Sequence, residues 1–168
     1  MPTPAYLLIE GAKKGPVTTG AMSENSVGRL SKNSHRDRIQ VQCMEGLIEM
    51  PKDEQTGQPS GRRRHLGFTI HKIFDSSSPD LYDMLAAGEQ ITRLELDFYR
   101  TNPSGFEEQY FKISCEGATI TAIRTYFPNA LDPAQKHMHH MEAVSFAYRK
   151  IKWEHLIANT VQTDNWDH

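Results

Sequence analysis

The chain has 168 residues, which is the length of a single domain that can bury a hydrophobic core without disulfide or metal crosslinks. Its 19 basic and 21 acidic residues give a formal net charge of −2, so no overall attraction to nucleic acid or to an anionic membrane is expected. No apolar run approaches the ~18 residues that a membrane-spanning helix needs, so membrane insertion is not expected either.

The N-terminus and the cysteines bear on the cell compartment. The first six residues have no basic segment followed by an apolar run, so we expect no cleaved signal peptide and folding in the cytoplasm. Cys43 and Cys115 lack CxxC spacing and lie in runs of alternating hydrophobicity. We predict that both are buried, reduced thiols rather than a disulfide or a reactive site.

Alternation of apolar and polar residues dominates the chain and predicts strands with one buried and one exposed face, as in antiparallel sheets and barrels. Within one such run Leu94 and Leu96 alternate with Glu95 and Asp97, which we interpret as a solvated sheet face. The short connection at 116–117 predicts a hairpin between the strands that flank it. The predicted strands cover residues 5–10, 39–43, 47–50, 68–74, 91–99, 109–115, 118–127 and 143–153.

The last predicted strand has an irregular phase. Val144, Phe146 and Tyr148 lie on one face, but the apolar series resumes at Ile151 and Trp153 after a slip of one residue. Such a slip predicts a β-bulge that bends the strand.

One short helix is predicted between the fourth and fifth strands. Ser77 or Ser78 supplies an N-cap oxygen, Pro79 suits the first helical position, and Gly88 ends the helix. Its apolar stripe is too narrow to be buried alone and must pack on a sheet. The stripe consists of Leu81, Met84 and Leu85.

Three polar segments fall outside these elements. A long loop covers about residues 51–64, a second covers 129–140, and a polar tail from about residue 159 to 168 is predicted to dock on the domain. The second loop carries a histidine cluster that we interpret as exposed rather than as a metal site, because no third ligand or supporting shell is implied. The cluster consists of His137, His139 and His140.

No pattern in the sequence predicts an enzyme. There is no GxSxG elbow, no phosphate-binding glycine loop and no HExxH pair. We therefore expect no catalytic residues, no cofactor and no metal.

Short motifs of one known family occur along nearly all of the chain, in family order and without a large gap. They are YLLIEG at 6–11, SENSVG at 23–28, GQPSGRR at 57–63, SSPDLY at 77–82, GE at 88–89, FYR at 98–100, EQY at 108–110, ATI at 118–120 and DNW at 164–166. The closing strand fits the same comparison. In these motifs the chain resembles the Hcp family, the tube proteins of bacterial type VI secretion systems.

The resemblance implies a mainly β fold, an antiparallel two-sheet β-barrel with one short helix packed on the outside. It further implies six-membered rings that stack into the inner tube of a contractile machine and carry or chaperone small effectors in the lumen. The implied partners are other copies of the chain, the sheath, spike and baseplate proteins, and small secreted effectors. The implied location is the cytoplasm before firing, followed by export without a cleaved signal.

The long loop supplies the candidates for ring stacking. In the family an extended loop near this position reaches toward neighbouring subunits and the next ring, and here it carries acid at one end and base at the other. Those candidates are Asp53, Glu54, Arg62, Arg63 and Arg64. We expect Arg62→Glu with Arg63→Glu to block stacking without lowering the melting temperature of the subunit. The alternative is a solitary β-barrel module that binds an anionic ligand through Arg62–Arg64.

Overall fold

The computed structural model describes Thr3 and residues 5–167. This part of the chain forms eleven strands, two α-helices and two 3₁₀ turns, so the expected mainly β fold is confirmed. The strands are β1 (Ala5–Gly11), β2 (Gly15–Pro16), β3 (Ile39–Val41), β4 (Cys43–Glu49), β5 (Arg64–Ile73), β6 (Ile91–Thr101), β7 (Glu107–Glu116), β8 (Thr119–Tyr126), β9 (Met141–Ala147), β10 (Lys150–His155) and β11 (Thr160–Asn165). The helices are α1 (Glu24–Val27) and α2 (Ser78–Ala87).

The strands form two antiparallel sheets that face each other. The larger sheet has the order β11-β10-β7-β6-β1-β2, with β3 also paired to β1, and the smaller has the order β4-β5-β9-β8. Each sheet turns alternate side chains inward, and these meet in one core. Burial of each large apolar side chain contributes about 1.5–3 kcal/mol relative to an exposed one. Fully buried members include Leu7, Ile9, Ile70, Leu94, Leu96 and Val144.

The outer face of the larger sheet is partly covered by residues 17–38. Tyr6 points outward from β1 and is nevertheless fully buried, because the His35 ring stacks on it at 3.8 Å between centroids. Arg38 Nη1 lies 3.6 Å from Asp97 Oδ2, and Asp97 is only 5% exposed. The prediction of a solvated face at Glu95 and Asp97 is therefore wrong: the covering segment buries Asp97 and largely buries Glu95. That segment includes α1 and the 3₁₀ turns, which lack a periodic apolar stripe.

Two predicted connections are sheet crossings instead. β9 belongs to the smaller sheet and β10 to the larger one, so the phase slip after Tyr148 marks a corner rather than a β-bulge. β7 and β8 also lie in different sheets, so Glu116 and Gly117 do not form a hairpin. A slip in phase occurs both at β-bulges and at corners between sheets, and a short glycine turn occurs both in hairpins and at crossings. The sequence pattern therefore does not distinguish a crossing from a continuous strand or a hairpin.

The tail lies against the domain, where Thr160–Asn165 forms β11, an edge strand paired along β10. One cysteine differs from expectation. Cys43 is exposed at the start of β4, so the prediction of a buried thiol is wrong there, because the edge strand leaves that side uncovered. Cys115 is buried as predicted, and burial raises the pKa of its thiol to about 12.

Candidate functional site

Residues 50–63 project from the end of the smaller sheet as an extended loop between β4 and β5. The loop is a hairpin in its own right, since Lys52 forms a bridge with Pro59 and the Ser60 amide donates to the Pro51 carbonyl at 2.9 Å. Residues 52–60 are exposed throughout. The loop is therefore a stiff extension of the β4–β5 ladder rather than a loose connection.

The two acidic candidates lie at the tip of the extended loop. Asp53 Oδ1 accepts hydrogen bonds from the amides of Thr56 at 2.9 Å and Gln55 at 2.8 Å. These bonds to its charged form lower the pKa of Asp53, so the tip keeps its negative charge. Glu54 is exposed beside it. The tip thus presents two carboxylates, one of which also shapes the turn.

The three arginines at the base of the loop do not act together. Arg64 forms an ion pair with Glu49, its cross-strand neighbour. Arg63 Nε donates to Asp164 Oδ2 at 2.5 Å, and its Nη2 donates to Oδ1. Among the described residues, no carboxylate lies within ion-pair distance of Arg62. Because two of the three guanidinium groups are already matched by carboxylates, this arrangement does not favour the alternative of an anion-binding module.

Arg63 therefore has a role within the subunit that the sequence reasoning missed. Its substitution by Glu would place two carboxylates together, so the expectation that the Arg62 and Arg63 double reversal spares the melting temperature does not fit the geometry. Arg62→Glu alone is still expected to leave the melting temperature of the subunit unchanged.

A groove of about 450 Å³ lies at the opposite end of the smaller sheet. β5 begins at the extended loop and ends here, where Phe74 and Phe127 flank His140 at centroid distances of 5.8 Å and 5.4 Å. We call this surface the apolar groove after the aromatic and aliphatic side chains in its lining, which also includes polar groups. Its rim carries Lys136 and His139. The sequence hinted at it only through aromatic residues that follow strands β5 and β8 directly.

Helix α2 closes one side between the two sheets. Leu81 and Met84 are fully buried in the core, and Leu85 is half-buried against it, so the predicted stripe faces the sheets. Lys14, just after β1, lies 2.7 Å from Asp83, and Tyr82 hydrogen-bonds to Thr125 on β8. The helix thereby joins both sheets.

A charged cluster that the sequence did not reveal fixes the start of α2. Lys72 is fully buried, pairs with Glu142 on the neighbouring strand, and lies 3.1 Å from Asp75 Oδ1. Ser78 Oγ donates to Glu142 Oε1 at 2.6 Å. Lys72 and Glu142 each occupy an inward position of a strand with alternating apolar residues. A charge at such a position is the sequence signal that could have identified the pair.

An apolar seam lies between the two sheets, where edge strand β4 of the smaller sheet stands apart from β10 of the larger sheet. A cavity of about 220 Å³ opens there, lined in part by Met44, Tyr148 and Trp153. The surrounding surface carries exposed aliphatic side chains, which suit contact with another protein. They are Leu47, Ile48, Met50 and Leu66.

The described residues contain no set of three His, Cys, Asp or Glu side chains placed to hold one metal ion. His137, His139 and His140 are all exposed in the loop before β9. No helix in residues 5–167 has the length and hydrophobicity required to cross a membrane. The features that remain are two unlike surfaces at opposite ends of the smaller sheet and the open edge of β4. Such features are typical of a self-assembling structural subunit.

Several known proteins are similar to this chain in sequence and in structure. Residues 6–155 match the family described as "Type VI secretion system effector, Hcp". The Major exported protein of Pseudomonas aeruginosa (strain PAO1) is 42% identical over 166 residues, covering 99% of this chain and 96% of that protein. A solved structure described as "Crystal structure of Hcp protein" has a TM-score of 0.94 and 37% identity over 98% of both chains. The secreted protein Hcp3 from Pseudomonas aeruginosa has a TM-score of 0.84 and 36% identity, over 98% of this chain and 99% of that one.

The chain belongs to the Hcp family, the tube proteins of type VI secretion.

Proposed function

We propose that this chain is the structural subunit of a type VI inner tube, in which six copies close into a ring and the rings stack head to tail. The observation that carries the proposal is the pair of unlike surfaces at the two ends of β5. The extended loop precedes Arg64 and the apolar groove follows Ile73, so about 33 Å of strand separates them. A contact between two unlike surfaces of identical copies propagates into a filament.

The two surfaces are complementary in charge. Asp53 and Glu54 outnumber the neighbouring Lys52, so the tip of the extended loop carries net negative charge, whereas Lys136 adds a positive charge to the rim of the apolar groove. We propose that the tip of one ring seats on the groove of the next. Each exposed ion pair contributes only about 0–1 kcal/mol, but a ring of six repeats each pair six times.

The apolar seam supports lateral contacts within a ring. β4 is an edge strand with one side unpaired, and Leu47 on β4 and Leu66 on β5 are more than half exposed. Exposed edge strands and aliphatic clusters are costly in a solitary subunit and are covered by association.

The smaller sheet supplies a candidate lumen wall. Its outer face is open and polar: Thr69 Oγ1 and Ser145 Oγ are 2.8 Å apart, and His71 Nδ1 lies 2.7 Å from Tyr126 Oη. A 168-residue domain approximates a sphere of about 20 Å radius, so six in a touching ring leave a hole about 40 Å wide. We propose that this space carries small effectors. Ser145→Arg should then reduce effector binding while the ring persists.

The same proposal sets the partners and the route. The sheath, spike and baseplate proteins would surround or cap the tube, which forms in the cytoplasm and is exported whole. The name of the relative, Major exported protein, supports export.

Ring formation is tested by size-exclusion chromatography with light scattering at micromolar concentration. We expect six times the 19.1 kDa subunit mass. A monodisperse monomer under those conditions would overturn both the ring and the tube.

Stacking is tested by exchanging charges between the two surfaces. We expect Glu54→Lys and Lys136→Glu each to leave the ring intact but to reduce tube assembly at least tenfold by electron microscopy. The two changes together should restore tubes, because opposite charges meet again in neighbouring rings. Lys13→Glu, in an exposed turn that belongs to neither surface, is the matched control. Wild-type tube assembly by both single variants would place the stacking contact elsewhere.

A further inference from the structure

Asp164, on the last strand, reaches the base of the extended loop. Its two carboxylate oxygens accept both hydrogen bonds of the Arg63 guanidinium, and Oδ2 also lies 2.9 Å from His65 Nε2. Arg63 and Asp164 are 101 residues apart in the chain. β11 belongs to the larger sheet and β5 to the smaller, so this contact spans the two sheets.

The carboxylate is itself held in place. His65 is fully buried at its side chain, and its Nδ1 lies 2.8 Å from Tyr148 Oη. Trp166 stacks on the His65 ring at 5.6 Å between centroids, and the Trp166 amide donates to the Arg149 carbonyl at 2.7 Å. Asp164 therefore sits in a rigid frame, and Arg63 binds to a fixed point.

The extended loop has few other attachments. In the described part of the chain, the hydrogen bonds of residues 52–60 are all made within the loop, and none of them reaches the body of the domain. At its base, the Glu49–Arg64 pair is solvent-exposed on the arginine side. The Arg63–Asp164 contact is the better buried and the one with two parallel hydrogen bonds, so it sets the angle at which the stiff loop leaves the domain.

We propose that Asp164 is a positioning residue for assembly: the C-terminal strand fixes the direction of the extended loop, and stacking requires that strand to be attached. This inference rests on the proposed function of the loop. Coupling of this kind is reciprocal, so a loop held by the next ring stabilises the attachment of β11 in turn. Hydrogen exchange of β11 should therefore slow when rings become tubes.

The test uses purified rings of the full chain with Asp164→Asn, which keeps the shape but removes the charge. We expect rings to persist, trypsin cleavage after Lys52 and Arg62 to become at least fivefold faster, and tube assembly to fall at least tenfold. Glu108→Gln is the matched control, because it removes a similar 2.9 Å pair with Arg100 away from the loop. The control should match the wild type in all three measurements.

A second variant keeps the outcome decisive if Asp164→Asn fails to fold. Arg63→Gln removes the same contact from the loop side and leaves the carboxylate with His65, and the same loss of tubes is expected. Exchange of the two residues, Arg63→Asp with Asp164→Arg, should recover a substantial part of assembly. Normal tubes and normal cleavage rates in both single variants would overturn the positioning role.

The result is separable from the stacking proposal. Faster loop cleavage in isolated Asp164→Asn rings supports the positioning contact even if the Glu54 and Lys136 variants form normal tubes. Unchanged cleavage together with stacking-defective charge variants overturns the positioning role alone.

Discussion

The backbone at Gly67 approaches the Phe146 carbonyl so closely that a Cβ on Gly67 would stand 2.2 Å from that oxygen. Gly67 also has φ of 76°, in the left-handed region that favours glycine. Both constraints arise where β5 enters its pairing with β9 at Phe68. The close approach lets the loop base, the strand and the corner after β9 meet in a small space.

Gly67→Ala should therefore destabilise the protein strongly. Gly57 has a similar φ of 71° with open space around it, so Gly57→Ala carries the backbone strain alone, about 1 kcal/mol. Gly67→Ala adds a clash with backbone that cannot move aside easily, for a total of about 3 kcal/mol or more. Calorimetric melting at one fixed protein concentration compares them. Equal melting temperatures would show that the sheet yields at this point.

The buried cluster at Lys72 predicts an asymmetric mutational response. Lys72→Ala leaves the Glu142 and Asp75 carboxylates buried without their cation, which should cost about 3–5 kcal/mol. Lys72→Met combined with Glu142→Leu keeps the volume and leaves only the Asp75 carboxylate without its cation, so it should be less damaging than Lys72→Ala. Urea unfolding of the three proteins measures the difference. If the double variant is as unstable as the single one, the charges are not the source of the cost.

Burial along α2 predicts a rank order. Leu81 is fully buried and Leu85 only half-buried, so Leu81→Ala should cost about 2–5 kcal/mol and Leu85→Ala clearly less. Leu85→Asp should still reduce soluble yield, because it sets a charge against the core. Thermal melting tests the order, with Ala86→Gln at an exposed position of α2 as the helix control. A larger loss at Leu85 would contradict this packing.

Asp164 predicts an acid dependence. The Arg63 guanidinium, with a further hydrogen bond from His65, holds the pKa of the Asp164 carboxyl well below its usual range. The unfolded chain therefore binds a proton more readily, with a pKa of about 3.9, and the contact stabilises the fold above that pH. This stabilisation disappears as the pH falls through the lower pKa of the folded state. The melting-temperature gap between wild type and Asp164→Asn should be full at pH 7 and should narrow below about pH 4. A constant gap down to pH 2 would contradict the charge-based account.

Much of the fold could be predicted because the signals are local. Val144 and Phe146 face the core as their alternation predicts, and the Pro79 and Gly88 punctuation places α2 within a residue or two. The rest depends on distant partners. Nothing near Arg63 in the sequence indicates a carboxylate 101 residues away, and nothing near Asp97 shows that residues 17–38 will cover it.

The candidate site could likewise be predicted only where its signals are local. Loop length and charge identified Asp53, Glu54 and Arg62 as exposed, but which arginines are already paired depends on how β4, β5 and β11 are arranged in space. The apolar groove combines residues from three separate segments, and no single stretch of sequence contains its pattern.

Two of the crossings between the sheets, from β7 to β8 and from β9 to β10, lie side by side. The Arg149 amide donates to the Glu116 carbonyl at 3.0 Å, and a Cβ on Gly117 would stand 3.1 Å from the Arg149 side chain. Covalent backbone thus passes twice from one sheet to the other at one corner. A tensile load on the smaller sheet is transmitted to the larger through peptide bonds there, and sliding of one sheet over the other is mechanically blocked. In the proposed tube, each subunit would therefore bear load as a single stiff block.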